Sequence, residues 1–224
     1  MTCILFFVRL PEIGKVKTRL AAVLGEQAAL RLYRAFVRDQ LSMFAELGVQ
    51  VLVVGTPAHG LAELRAWLGP DLLYLPQRGE DLGERMACAF ADAFAQGYDR
   101  ALCIGSDLPD LPRDHVTQAL VALETNDAVL GPAADGGYWC IGFWAEAFTP
   151  EIFSGIVWGG PEVFAATMAR MVEAGLTAKC LPSWTDVDTV QDLAAFRKRN
   201  LKPDSRTRRV LDDLAPEAAD PGTE

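Results

Sequence analysis

The chain has 224 residues, half of them hydrophobic and under a quarter charged, a composition that suits one sizeable α/β core and excludes a largely disordered chain. Its net charge of -9 argues against a general nucleic-acid or acidic-membrane binder, because such proteins need broad positive surfaces. No apolar run reaches membrane length, and the first, Cys3 to Val8, is too short for a signal peptide and is closed by Arg9. Cys3, Cys88, Cys103, Cys140 and Cys180 stand singly among apolar neighbours, without metal or redox spacing and odd in number. Reduced thiols in a cytoplasmic protein are expected.

Short β-rich runs alternate with helical periodicity. Strands are predicted near residues 3–8, 50–54, 72–75, 101–104, 128–130, 138–143 and 178–181. Helices are predicted near 26–47, 61–68, 82–95, 113–123, 161–174 and 190–198. This alternation predicts a three-layer, Rossmann-like, mostly parallel sheet with helices on both faces, spanning residues 1–199. Residues 200–224 change to a charged, proline-bearing composition. They read as a C-terminal tail, although Val210, Leu211 and Leu214 allow a short helix.

In such sheets ligands collect beyond the carboxyl ends of the strands, so the loops after strands carry the argument. The first runs from Arg9 to Leu20 and presents Lys15, Lys17 and Arg19 at alternate positions. They can converge, with the amides of the turn, on one polyanion. A solvated basic loop is the plain alternative; against it stands the acidic background, in which this is the one dense basic cluster of the globular part. The loop lacks the first glycine and the Lys-Ser/Thr ending of a P-loop, and no G-x-G-x-x-G follows the first strand, which sets aside P-loop NTPases and dinucleotide dehydrogenases.

The stretch Gln77 to Met86 joins a strand to a helix. Its amides can read a base and Arg85 can touch phosphate, with Asp81 as a helix cap the plain alternative. The next loop, Ile104 to Leu111, sets Asp107 at a strand end, where a carboxylate can hold Mg2+ or Mn2+ with water and phosphate oxygens; Asp110 reads as a cap or turn residue. In Pro132 to Trp139, Gly136 and Gly137 permit a sharp turn, and Asp135 can meet a sugar hydroxyl or an acceptor. The segment Trp184 to Thr189 offers Asp188, and next Asp186, as further metal ligands. These two point the same way if the segment is extended, while Thr189 with Asp192 also suits a helix start. His59 and His115 read as surface or capping residues. The tryptophans at 139, 144, 158 and 184 gather late in the chain, where core packing accounts for most such residues although one could stack on a ligand ring, and Trp158 to Pro161 is composed like a flap.

Five motifs occur together and in order: Lys15-Val-Lys17-Thr18-Arg19-Leu20, Gly79-x-Asp81-Leu82-Gly83-x-Arg85-Met86, Gly105-Ser-Asp107-x-Pro109-x-Leu111, Asp135-Gly136-Gly137-Tyr138 and Asp186-Val-Asp188-Thr189-x-x-Asp192-Leu193. On these the chain resembles a bacterial glycosyltransferase-like family of the nucleotide-diphospho-sugar transferase (GT-A) superfamily. It also looks related to the guanylyltransferases acting on 2-phospho-lactate and the molybdenum cofactor. The resemblance spans about residues 2–199. It implies a nucleotide-binding half from the early strands, a divalent metal at Asp107, and an acceptor half from the later ones. Arg9 and Ile13 depart from the family's usual Lys-x-Pro-x-Pro-Gly opening.

A transferase with a nucleotide donor (an NTP or a nucleotide-sugar) and a small-molecule acceptor is therefore expected. Nucleotidyl transfer to a phosphorylated acceptor leads, because Asp107-Leu108-Pro109 lacks the Asp-x-Asp of many glycosyltransferases of this fold. The expected catalytic groups are Asp107, Lys17 and Arg19, with Asp107, Asp188 and Asp186 on the metal. Lys15, Thr18, Gly79, Asp81, Leu82, Gly83, Arg85, Asp135, Gly136 and Gly137 are expected to bind substrates. Glycosyl transfer and a non-catalytic nucleotide-binding module are the alternatives.

Overall fold

The computed structural model describes residues 1–199 and 204–214. Seven strands, β1 (Thr2–Arg9), β2 (Gln50–Thr56), β3 (Leu73–Pro76), β4 (Arg100–Gly105), β5 (Ala128–Pro132), β6 (Tyr138–Trp144) and β7 (Ala178–Cys180), form one sheet in the order β3-β2-β1-β4-β6-β5-β7. All pairs are parallel except those of β6, which runs antiparallel to both β4 and β5. The helices are α1 (Thr18–Leu24), α2 (Glu26–Leu47), α3 (Leu61–Leu68), α4 (Leu82–Ala95), α5 (Arg113–Ala122), α6 (Val163–Glu173), α7 (Val190–Lys198) and α8 (Arg206–Leu214).

Alternation along β1 builds the two halves of the core. Ile4, Phe6 and Val8 point into a cluster with Leu30, Val37 and Phe44 of α2, Leu64 of α3 and Val116 of α5. Cys3 and Leu5 point the other way, into a cluster with Met86 and Phe90 of α4 and Met171 of α6. Side chains two apart share a face of a strand, so the central strands read as continuous apolar runs, as a doubly covered sheet requires. All five cysteines are free, and no described helix is long and apolar enough to cross a membrane.

A third cluster lies on the outer side of α2. Leu32 and Phe36 of α2 pack there with Leu20 of α1, Val187, Leu193 and Phe196 around α7, and Leu211 of α8. Residues 206–214, expected as tail, thus fold onto the domain. Asp39 of α2 accepts from the backbone amides of Arg206 and Thr207 at 2.9 and 2.8 Å and so satisfies two amides at the start of α8. Arg31 pairs with Asp213 at 2.5 Å. The sequence hides this docking because the partners lie more than 160 residues apart. The remaining tail positions, 200–203 and 215–224, lie outside the described residues.

Candidate functional site

Three loops meet at one edge of the sheet, and the strand directions explain why. β1 and β4 are parallel neighbours, so the basic loop after Arg9 and the Asp107 loop after Gly105 leave on the same side. β6 is antiparallel, so its first residues, with the Asp135–Gly137 turn, start from that side. The segment after β7 then travels back across the mouth. Trp184 bridges to Ala133 and donates its amide to Pro132 at 3.1 Å, and the Val187 amide donates to the Asp107 carbonyl at 3.0 Å. Val187 itself is fully buried against α2. Alternation therefore turns Asp186 and Asp188, on either side of it, toward the mouth.

Lys17 joins the basic loop to the Asp107 loop and to the segment after β7. Its Nζ lies 2.6 Å from an oxygen of Asp107 and 2.6 Å from an oxygen of Asp188, with the lysine side chain only 3% exposed and the carboxylates 42% and 39% exposed. Burial alone would lower the lysine's pKa, but the two carboxylates outweigh it and the net direction is upward. Burial likewise opposes ionisation of Asp188, yet Lys17 holds it below the usual carboxylate range. At Asp186, burial first, then Asp188 and Asp135, outweigh the opposing pull of Lys17 and push it up to about 7. Lys17 also has a left-handed backbone, φ 47 and ψ 46, at the start of α1, a conformation that costs a non-glycine residue roughly 1–3 kcal/mol.

Around this ammonium, Arg9, Lys15, Thr18 and Arg19 line a cationic cleft of about 260 Å³ with Tyr33 and Ser106. Lys15 pairs with Glu12 at 3.1 Å on the exposed rim. Behind the cleft, the Tyr33 hydroxyl accepts from the Arg9 amide at 2.8 Å, donates to the Arg9 carbonyl at 3.0 Å and meets Ser106 Oγ at 3.1 Å. Gln40 Nε2 donates to the Gly105 carbonyl at 2.9 Å. The sequence reading passed over Tyr33 and Gln40. Their signal was faint but present: two polar groups on the apolar stripe of α2, seven residues apart and hence on one face.

The acceptor side is a second cavity, of about 300 Å³, reached by Asp107, Asp135, Asp186 and Leu82. Here Asp135 Oδ1 accepts from the Gly137 amide at 2.9 Å. Gly136 has φ 92, and a Cβ there would fall 2.1 Å from the Pro161 carbonyl oxygen, so the turn presses against the entrance of α6. Gly83 is equally tight, its missing Cβ 2.5 Å from the Trp158 ring. Trp139 and Trp158 line this cavity. Trp184 does not; it meets His115 edge to face, 5.1 Å between centroids, and lies under Arg199. His115 therefore belongs to an aromatic cluster and is not a surface or capping residue. Trp144, at the far end of β6, is absent from the lining.

Three expectations change at the level of contacts. Asp110 sits in a turn, as one half of its reading expected, but does not cap α5, which starts after Pro112; it pairs with Arg199 at 2.5 Å. Arg85 spends Nε and Nη2 on the carbonyls of Gly79 and Glu80, at 3.1 and 3.3 Å, and braces its own loop. Asp81 takes the plain alternative, accepting from the Glu84 amide at 2.8 Å as the cap of α4. Gly79, with φ 131, leaves no room for a Cβ, which would lie 2.8 Å from the Arg85 nitrogen. Thr189 and Asp192 form a capping box, and this leaves the Asp188 carboxylate free to face Lys17.

Residues 40–160 match a bacterial family described as "Uncharacterized protein conserved in bacteria (DUF2064)". The chain belongs to that family. A solved structure from Desulfovibrio desulfuricans G20, named a candidate nucleotide-diphospho-sugar transferase, is 44% identical and superposes with a TM-score of 0.90, covering 96% of this chain and 97% of that one. The 4-diphosphocytidyl-2C-methyl-D-erythritol synthase of Anaerococcus prevotii DSM 20548 is 10% identical with a TM-score of 0.59 over 89% of this chain and 99% of that chain. That likeness speaks for the fold alone. The fold is thus that of the nucleotide-diphospho-sugar transferases. A curated relative from Phenylobacterium zucineum (strain HLK1), a 3-phospho-D-glycerate guanylyltransferase, is 33% identical over 141 residues, 60% of this chain. The match spans 64% of that relative, less than two thirds of its length.

Proposed function

We propose that this protein is a metal-dependent transferase that moves a nucleotidyl group from an NTP to a small phosphorylated acceptor. The observation that carries the reading is the meeting of Lys17 with Asp107 and Asp188, 2.6 Å from each, between a cationic cleft and an acidic cavity. The names of the relatives support the same class: a guanylyltransferase among curated proteins and a nucleotide-diphospho-sugar transferase among solved structures.

In this reading an acceptor phosphate oxygen attacks the α-phosphorus of the NTP, the bond to the β-phosphate oxygen breaks, and pyrophosphate leaves. The residues have three tasks. Lys15, Lys17, Arg19 and the nearby hydroxyl of Thr18 hold the triphosphate and neutralise charge gathering on the leaving group. Asp135, Gly136 and Gly137 shape the acceptor side, and Gly79 to Arg85, with Leu82 on the cavity wall, flank the nucleotide. Holding both phosphates in line removes much of the entropic part of the barrier.

A divalent cation fits Asp107 and Asp188. Their oxygens already share one positive charge, and Mg2+ commonly takes one or two carboxylates with substrate oxygens and water. Among the described residues no cluster of three or more metal-binding side chains forms, which suits a cation completed by substrate. Asp186 is the neighbouring carboxylate that could join. Bound there, the cation would supply further charge neutralisation on the phosphates.

The test is a thermal-shift panel of NTPs and nucleotide-sugars with and without Mg2+, followed by pyrophosphate release. Stabilisation by one triphosphate with Mg2+, and Mg2+-dependent pyrophosphate formation with a phosphorylated acceptor, are expected. Asp107→Ala should lower kcat by about 10²–10³-fold, corresponding to about 3–4 kcal/mol for one lost electrostatic contact. Stabilisation by a nucleotide-sugar alone would transfer the assignment to glycosyl transfer, and full activity of Asp107→Ala would remove this carboxylate from the metal.

A further inference from the structure

The two cavities at the mouth differ in charge and in wall. The first sets Arg9, Lys15, Lys17 and Arg19 against the two carboxylates of Asp107 and Asp188. The second, of about 300 Å³, has Tyr138, Trp139 and Trp158 among its walls and Asp107, Asp135 and Asp186 as its charged groups; no Lys, Arg or His among the described residues lines it. A Gly-Gly turn would often offer amides to an anion, but here the Gly137 amide is taken by Asp135 at 2.9 Å. Arg19 lines a neighbouring cleft with Asp135, Asp186 and Asp188, but among the described residues no cation stands in the wall of this cavity itself. The cavity is therefore fitted to accept hydrogen bonds from hydroxyls and to pack against the faces of rings, and it is ill fitted to a second anionic group.

Resting on the transferase reading above, we infer that this cavity takes a hydroxyl-rich body carrying no anionic group beyond the phosphate through which it is joined to the nucleotide, with Asp135 as the residue that excludes a carboxylate. The substrate class then differs from that named for the curated relative, whose acceptor carries a carboxylate. Two sources share this chemistry: a sugar or polyol phosphate serving as acceptor, and the sugar of a nucleotide-sugar donor.

The experiment has a turnover arm and a binding arm. Pyrophosphate release is measured with Mg2+, each NTP, and either a panel of aldose 1-phosphates and polyol phosphates or 3-phosphoglycerate. Nucleotide-sugar consumption is followed in parallel. Saturation-transfer NMR reports binding of the same phosphates in the presence of Mg2+ whether or not turnover occurs. The expected result is a kcat/KM for at least one neutral-bodied phosphate ten or more times that for 3-phosphoglycerate, with the same order in binding. Asp135→Asn, which keeps a carbonyl oxygen for the Gly137 amide and removes the charge, should narrow that ratio at least fivefold.

A preference for 3-phosphoglycerate in both arms, or an Asp135→Asn ratio equal to wild type, would overturn the inference while leaving nucleotidyl transfer in place. Consumption of a nucleotide-sugar with no pyrophosphate from any acceptor would overturn nucleotidyl transfer. It would still support the inference, with the donor's sugar as the occupant. If neither reaction runs, the binding order decides: saturation by 3-phosphoglycerate as strong as by the neutral-bodied phosphates sinks it.

Discussion

At the scale of single residues, Lys17 concentrates two costs that only a gain elsewhere explains: a left-handed backbone and a nearly fully buried ammonium. A buried cation persists when it is paired, and Asp107 and Asp188 supply the pair. Two substitutions separate backbone from charge. Lys17→Gly relaxes the left-handed turn and Lys17→Met keeps the stem, yet both remove the ammonium. Both should lower kcat by about 10²–10³-fold, measured as pyrophosphate release; an active Lys17→Gly would show that the conformation and not the charge matters. The pair also links stability to pH. Because the folded lysine's pKa is raised, its contribution is full below the unfolded value of about 10.4 and is lost as pH rises through the higher folded one. In urea titrations the stability gap between wild type and Lys17→Met should accordingly narrow at strongly alkaline pH.

At the scale of elements, the aspartates at 107 and 188 are held in place by contacts between loops and not by their own strands. The Val187 amide bonds the Asp107 carbonyl, and the end of α7 is tied to the same loop by Arg199 on Asp110, at 2.5 and 3.4 Å. Arg199 lies over Trp184, 5.4 Å from the ring centroid, and over Phe196, 5.7 Å away. Arg199→Lys keeps the charge but loses the planar fork and the stacking surface, so it should cost about 1 kcal/mol. Arg199→Ala should cost about 2 kcal/mol, below the usual range for breaking a fully buried pair because the arginine keeps some exposure. Chemical denaturation gives both values, and kinetics should show kcat falling more than KM rises as the two aspartates lose register. Equal stability of all three proteins would mean that the pair holds nothing.

At the scale of the molecule, α2 is the hub. Its inner face packs on the sheet and its outer face receives α1, α7 and α8, so the helix behind Tyr33 and Gln40 is also the one that α8 covers. Leu211, 3% exposed, is the anchor of that cover. Leu211→Ala should destabilise the protein by about 2–3 kcal/mol, read as a lower urea midpoint at unchanged slope. A slope that fell as well would indicate that α8 unfolds on its own. Deleting residues 200–224 should cost at least as much, because it also strips Arg206 and Thr207 from Asp39.

The local code was legible in the chain. Period-two and helical apolar spacing, with breakers between them, determined the seven strands and six of the eight helices among the described residues close to their ends, because these signals act between residues a few positions apart. The basic loop and the strand-end carboxylates were legible for the same reason: unusual side chains stood where a strand must stop. Tertiary structure alone decided the rest. The antiparallel setting of β6, the return of the segment after β7 to Asp107, the pairing of Asp110 with Arg199 and the docking of α8 on Asp39 all join residues far apart in sequence. Their free energy comes from apolar burial and hydrogen bonds that exist only once the sheet has formed, so no local pattern records them.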